Sequence, residues 1–255
     1  MKNDTASNHL PELREALAKI YATGERIAIL YSGGLESNLL LSLAAPWKNQ
    51  TTVFTTLTGA EFPHMRSFIE TTLEGWSHVI VRTDVQSYFQ TDGLPTNVIP
   101  LENLAAAKEL FGTSRRPYLV PWVECCLRNR NEPAWRAIGE AGISKCIHGQ
   151  RKGDFAGERN SVTAEGLALF SPLESLSRSD VRDMCSNLQI SLPAQYGEFD
   201  SSLDCSICPA SLTPNRRSWM ARHYPRELIL AEQLQGVVSR AVFEALSGEH
   251  TFHNR

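Results

Sequence analysis

Between residues 26 and 83, strand-like and helix-like segments alternate at short spacing, and this constrains the fold more than any other feature of the chain. Arg26-Ile-Ala-Ile-Leu-Tyr31 is a continuous run of strand length. It leads through Ser32-Gly33-Gly34 into an apolar helix predicted over residues 35–45, stopped by Pro46. Thr51-Thr-Val-Phe-Thr-Thr-Leu57 is a second predicted strand, residues 62–73 a helix, and His78-Val-Ile-Val-Arg-Thr83 a third strand. Strands separated by helices pair in parallel through crossovers, with both sheet faces covered. A fourth strand is predicted over residues 144–148 and a short fifth over 167–170. The expected fold class is α/β, a Rossmann-like open parallel sheet of about five strands with helices on both faces.

The remaining segments fit around that frame. Residues 1–8 are polar and read as disordered, and residues 10–22 carry an amphipathic helical stripe. Residues 85–120 are irregular, broken by Pro95, Pro100 and Pro117, with Pro121 just beyond. A helix is predicted over 128–141, interrupted or delayed by Pro133, and a polar loop over 151–165. Ser177 is a candidate N-cap for a helix over 177–188, with Asp180 three residues on as part of a capping box. The expected organisation is a nucleotide-binding domain over residues 1–210 and a helical extension over 211–255.

Composition narrows the setting. The chain has 255 residues, 42% of them hydrophobic and 21% charged, as in an ordinary globular protein. A net charge of −3 gives no general case for a nucleic-acid partner. No apolar run reaches the roughly 18–20 residues that span a bilayer, and Met1-Lys2-Asn3-Asp4 opens no signal-peptide core. A cytoplasmic location is expected, where thiols stay reduced and a cysteine cluster holds metal more readily than disulfides.

Tyr31-Ser32-Gly33-Gly34-Leu35-Glu36-Ser37-Asn38 joins the first strand to its helix. Glycines let a backbone approach a phosphate closely, and a helix N-terminus supplies unpaired N–H groups and a positive dipole end. Ser32 and Ser37 add hydroxyls. A ligand-free tight turn is the plainer reading of a Gly-Gly pair; serine on both sides favours a phosphate loop. It is not a Walker A loop, which needs Gly-Lys-Ser/Thr, nor the dinucleotide fingerprint, whose third glycine is missing.

Cys125 and Cys126 are adjacent, and Cys205-Ser-Ile-Cys208 follows after 78 residues. Neighbouring thiolates rarely share one small ion, but they can bind different iron corners of a 4Fe–4S cube, which needs four thiolates. Zinc is the alternative, although its four-thiolate sites usually draw on two Cys-x-x-Cys turns. Cys146 and Cys185 read as core residues.

These motifs carry a resemblance. Ser32–Ser37 resembles the Ser-Gly-Gly-x-Asp-Ser loop of the PP-loop ATP pyrophosphatases, the adenine nucleotide alpha hydrolase superfamily. Thr58-Gly59-Ala-Glu-Phe-Pro63 is similar to the Thr-Gly-x-x-Phe-Pro segment of phosphoadenosine phosphosulfate (PAPS) reductases. Ile147-His-Gly-Gln-Arg151 with Arg159 resembles that group's Gly-x-Arg stretch and distal arginine, and Ser171-Pro-Leu…Asp180-Val181 its Pro-Leu…Asp-Val segment. The four cysteines resemble the cluster ligands of iron–sulfur adenylylsulfate reductases. The likeness spans residues 26–210, in the family's order. It implies nucleotide binding at Ser32, Gly33, Gly34, Glu36, Ser37, Thr58 and Gly59, positive charge on phosphates or acceptor from Arg151, Lys152 and Arg159, and cluster ligation by Cys125, Cys126, Cys205 and Cys208.

Two departures shape the expected activity. Sulfonucleotide reductases attack with a cysteine near the C-terminus, and here no cysteine follows Cys208. Their glycine loops are typically degenerate, whereas this one is nearly intact, with Glu36 in place of Asp. Both favour cleavage of ATP with magnesium to AMP and pyrophosphate, adenylating an acceptor for sulfur transfer. By analogy with relatives that thiolate tRNA bases or DNA backbones, the acceptor class extends to nucleic acid, and a sulfur donor or redox protein is the implied partner. The alternatives are a sulfonucleotide reductase using an external thiol and a non-catalytic module that binds nucleotide and cluster. The aromatic and basic stretch from Arg216 to Tyr224 reads as an ordinary helix face, and His64 and His148 as structural.

Overall fold

A computed structural model describes residues 4–247 except 108, 110, 111, 113, 152, 153, 155–160, 164, 165, 200 and 204. The chain divides into two compact units, each assembled from separated segments. The first comprises Met1–Leu57, Pro63–Val81 and Glu132–Tyr196; the second Thr58–Phe62, Arg82–Asn131 and Gly197–Arg255.

The first unit is built on a six-stranded sheet. Its strands are β1 (Ile27–Leu30), β2 (Thr51–Leu57), β3 (His78–Arg82), β6 (Lys145–Ile147), β7 (Ser161–Val162) and β8 (Ala168–Phe170), in the order β3-β2-β1-β6-β8-β7. β1 pairs in parallel with β2, with Ile27 opposite Thr51, and with β6, with Ala28 opposite Cys146. β6 and β8 are also parallel. The sheet therefore has one strand more than the sequence predicts. β7 falls within the expected loop over 151–165 and adds antiparallel to β8, its two residues too few to show a period.

Side-chain alternation along the strands builds two buried layers, because successive residues point to opposite faces. Ile27, Ile29 and Ile147 pack with Leu13 and Leu17 of α1 (Asp4–Tyr21), Leu35, Leu39 and Leu40 of α2 (Leu35–Leu43), and Val181 and Met184 of the helix Arg178–Asn187. Ala28, Phe54, Cys146 and Leu169 face the other way, onto Ile138 of the helix Glu132–Glu140. α3 (Pro63–Thr72) contributes Ile69 to a third cluster with Tyr31, Val53 and Leu57. Helices thus cover both sheet faces, as expected.

Several boundaries differ from the sequence reading. α1 starts at Asp4, inside the stretch read as disordered. α2 ends at Leu43 and gives way to a 3-10 turn over Ala45–Gln50, with Pro46 in its first turn, where a missing N–H costs nothing. The helix predicted over 128–141 is a π-helical turn at Leu127–Asn131 followed by an α-helix at Glu132–Glu140, and an α-helix that the sequence reading does not include precedes them at Trp122–Cys126. Pro133 sits in the first turn of Glu132–Glu140 and does not break it.

The second unit contains a small parallel pair, β4 (Leu94–Thr96) with β5 (Leu119–Pro121), in the region read as irregular. Gly93 enables the approach. Its φ is +141°, and a Cβ there would meet the Tyr118 carbonyl at 2.7 Å. Leu94 and Leu119 pack on Val238 and Ala241 of the long helix Pro225–Ser247. Ala60, Val85, Val120, Cys125 and Ile207 form the neighbouring cluster.

Candidate functional site

In the first unit, the loop after β1 is held from within. Gly33 has φ +73°, a left-handed conformation that favours glycine. Gly34 caps α2 in extended backbone and, having no side chain, supplies no cap hydrogen bond of its own. The Gly34 amide donates to Ser32 Oγ at 3.3 Å, and Ser37 Oγ donates to the Gly34 carbonyl at 3.1 Å. Asn38 Nδ2 donates to the carbonyls of Gly33 and Gly34, each at 2.8 Å, while its Oδ1 accepts from the Tyr31 hydroxyl at 2.9 Å. Tyr196 Oη accepts the Leu35 amide at 3.0 Å. Asn38 was visible in the motif, but its tethering role was not; Tyr196 lies 161 residues from its partner and leaves no local trace.

Glu36, in the first turn of α2, is where the arginines meet. Its Oε1 is 2.8 Å from Arg151 Nε and 3.4 Å from Arg178 Nη1. The Arg151 and Glu36 side chains are only 11% and 12% exposed. Arg151 Nη2 also bonds Asp154 Oδ1 at 3.0 Å. The ring of Tyr196 lies 5.9 Å from the Arg178 guanidinium carbon. Arg178 opens the helix Arg178–Asn187, where Ser177 and Asp180 complete the capping box. Arg178 lies inside the Pro-Leu…Asp-Val segment, which by itself assigns it no role. Lys152 and Arg159, the other predicted cations, lie outside the described residues. His148 Nε2 is 2.9 Å from Ser171 Oγ, and His64 Nε2 2.9 Å from Gln195 Oε1, so both histidines sit in side-chain hydrogen bonds.

In the second unit, Cys125, Cys126, Cys205 and Cys208 line one cavity of about 360 Å³, together with Trp122 and Arg130 among others. Burial pushes the Cys125 thiol well above the ordinary range, and the neighbouring Cys126, Cys205 and Cys208 push it further. Asn129, in the π-helical turn, donates to the Cys125 carbonyl at 2.9 Å and approaches its Sγ at 3.8 Å. On the opposite turn, Cys208 N donates to Cys205 O at 3.0 Å, and the buried Arg216 donates through Nη2 to the same carbonyl at 2.8 Å.

Thr58 and Gly59 belong to this unit, and the segment they open meets the cysteine turn through Thr58 and Ala60. Thr58 Oγ1 is 3.2 Å from Cys205 Sγ, and the Ser206 amide donates to Ala60 O at 2.7 Å. Glu61, unassigned from sequence, accepts from Thr58 Oγ1 at 2.8 Å and from the Gly59 amide at 3.2 Å. Between Thr58 Oγ1 and Cys205 Sγ either atom can be the donor, and a Cys205 thiolate would take the hydroxyl proton.

The donor set distinguishes candidate groups. Among the described residues, no three or more His, Cys, Asp or Glu side chains are arranged to hold a metal ion. The four thiols nonetheless line one cavity, a set of the type and number that a four-thiolate polynuclear group requires.

No protein-family model and no curated protein matches the chain. Among solved structures, it is similar to the PAPS reductase from Candida auris in a phosphate complex. The TM-score is 0.54 at 14% identity, over 76% of this chain and 87% of that one. It is also similar to the NH3-dependent NAD synthetase from Campylobacter jejuni subsp. jejuni NCTC 11168 in complex with nitrate. There the TM-score is 0.49 at 12% identity, over 94% of this chain and 96% of that one. The first likeness is one of fold, the α/β fold with its mostly parallel sheet. No helix among the described residues is long and apolar enough to cross a membrane.

Proposed function

We propose that the chain is a PP-loop enzyme that cleaves ATP to AMP and pyrophosphate, adenylating an acceptor for sulfur transfer, with a 4Fe–4S cluster in its second unit. The observation that carries the nucleotide reading is the loop Ser32–Ser37. It opens a nine-residue helix through a left-handed glycine, and two arginines are gathered at its Glu36. Cleavage between the α- and β-phosphates builds negative charge on the departing pyrophosphate. Main-chain N–H groups at a helix start, hydroxyls of Ser32 and Ser37, and fixed guanidinium groups are the groups that stabilise it. The phosphate in the Candida auris PAPS reductase complex accords with an anion site in this fold.

Cys125, Cys126, Cys205 and Cys208 would hold the cluster, which supplies one-electron transfer or a Lewis-acidic iron when bound. Thr58, Asn129 and Arg216 hold the cysteine-bearing turns through the contacts given above. Arg151 is the cation assigned to the phosphates. Lys152 and Arg159 follow it in the resemblance, as does nucleotide contact at Thr58 and Gly59. The acceptor is of a class that adenylation activates, an oxygen made into a leaving group for a sulfur nucleophile.

The test is product analysis. Anaerobically purified protein, incubated with ATP, magnesium and candidate acceptors including tRNA and DNA, is expected to release AMP and pyrophosphate in equal amounts. Release should be slow alone and faster with the acceptor. ADP and phosphate as the only products, or no turnover with any acceptor despite tight nucleotide binding, would overturn the reading; the second result describes a binding module.

A further inference from the structure

We infer that Glu36 is a positioning residue for Arg151 and Arg178 and not a ligand of magnesium, so that the loop meets phosphate with guanidinium groups. The inference rests on the reading of Ser32–Ser37 as a phosphate loop. The resemblance sets Glu36 at the position of an aspartate, where a carboxylate facing a divalent cation is the natural expectation. The geometry points elsewhere.

Magnesium demands a near-ideal octahedron of oxygens at about 2.0–2.1 Å and keeps several of its waters. Glu36 is nearly buried, and its Oε1 already faces two guanidinium groups, at 2.8 and 3.4 Å. A divalent ion on that oxygen would sit against two positive charges inside a site of low dielectric, where like charges repel strongly.

The carboxylate is also held in place. Gly149 lies so close that a Cβ on it would be 2.8 Å from Glu36 Cβ and 3.4 Å from the Glu36 carbonyl carbon. The segment that makes this contact carries Arg151 two residues later, so one close approach fixes carboxylate and guanidinium together. Arg178 comes from a different element, the start of the helix Arg178–Asn187, and lies over the Tyr196 ring, whose hydroxyl takes the Leu35 amide. Glu36 thus joins three separate stretches of chain at the mouth of the phosphate loop. Long arginine side chains lose much rotamer freedom when ordered. A buried carboxylate that orders two of them before the ligand arrives reduces the entropy lost on binding.

The experiment measures binding of inorganic pyrophosphate by calorimetry, with magnesium and with EDTA, to wild type, Glu36→Gln, Arg178→Met and the double variant. Circular dichroism checks that each is folded. Glu36→Gln is expected to weaken pyrophosphate about tenfold in both conditions, leaving the effect of magnesium unchanged. Added to Arg178→Met it should cost less than tenfold, because the part of its effect that runs through Arg178 is already lost and only the part through Arg151 remains. If Glu36→Gln instead abolishes the magnesium effect and leaves metal-free binding intact, Glu36 is a metal ligand and the inference fails. Tighter metal-free binding by Glu36→Gln also overturns it, making Glu36 a competitor for the arginines. Should wild type bind neither pyrophosphate nor ATP, the phosphate-loop reading itself falls, and this role with it. An unfolded Glu36→Gln is replaced by Glu36→Asp, which keeps the charge one methylene back. That variant must also lose affinity equally with and without magnesium.

Discussion

The hydroxyl of Thr58 and the thiol of Cys205 lie 3.2 Å apart, 147 residues from each other in the chain. Thr58 ends no strand and caps no helix; it leaves β2 and turns onto the second cysteine pair. Hydrogen bonds to ligand sulfurs tune iron–sulfur clusters. Anaerobically prepared protein is expected to be brown and to carry about four irons per chain. Cys125→Ser, Cys126→Ser, Cys205→Ser and Cys208→Ser should each lose or convert the cluster. Cys146→Ser and Cys185→Ser should keep it. Thr58→Val should retain iron with an altered reduction potential. Iron and sulfide analysis with EPR checks all of these, and stoichiometric zinc without iron would refute the assignment.

Gly149→Ala tests the packing beneath the phosphate loop. The added methyl meets Glu36 Cβ at 2.8 Å and backbone atoms of Glu36 and Ser37 at 3.4 and 3.5 Å, so the loop, not a flexible side-chain end, must yield. Overpacking of this kind costs about 1–3 kcal/mol. Urea denaturation should show that loss, and ATP affinity should fall at least tenfold. Unchanged stability and affinity would mean that Gly149 and Glu36 are not in contact.

Alkaline pH should destabilise the first unit. Burial pushes Tyr21 and Tyr31 up to about 12, and likewise the thiols of Cys146 and Cys185. Each is an acid held neutral by the fold, with a folded value above its unfolded one. Its contribution is complete below the unfolded value, about 8.5 for Cys and 10 for Tyr, and is lost as pH rises through the folded value. The urea midpoint should therefore decline between about pH 9 and 12, and less steeply in Cys146→Ala. Cys146 and Cys185 should also resist alkylation at pH 8 until the protein unfolds. Rapid labelling of either in the native protein would contradict their burial.

Reduction of adenylylsulfate or its 3′-phosphorylated form to sulfite with thioredoxin should not occur. An S-sulfo intermediate needs a nucleophilic thiolate. No cysteine follows Cys208, four thiols are assigned to the cluster, and the remaining two are buried. Robust thiol-dependent sulfite release, measured with radiolabelled sulfonucleotide, would move the chain to the sulfonucleotide reductases.

The frame of the first unit was legible because its signals are local. A continuous apolar run marks β1, a run of β-branched and aromatic residues marks β2, the glycine pair marks the turn into α2, and Ser177 with Asp180 marks a helix start that the structure caps as expected. The second unit hid because its signals are not. β4 and β5 are three residues each and contain Pro95 and Pro121, which speak against strands yet are tolerated at sheet edges. A π-helical turn has no sequence period to detect, so the sequence shows a helix only from about residue 128 although helical structure begins at Trp122. The cysteines stand out by spacing alone. Asn129 and Arg216 lie four and eleven residues from the cysteines they hold, but neither residue type signals that role, and Tyr196 reaches the phosphate loop from 161 residues away, which no window of neighbouring residues contains.

The placement of Cys126 and Cys205 around one cavity has a consequence for the denatured chain. A group gripped by both would close a ring through the 78 intervening residues, 127–204, which carry Arg151, Arg178 and half of the first unit's strands. Chain statistics for a loop of that length give about 4.5 kcal/mol of lost freedom in the unfolded ensemble. The group would then work as a staple as well as a cofactor. Chelation or oxygen damage would be felt as lower unfolding free energy of a segment that supplies none of the thiolates.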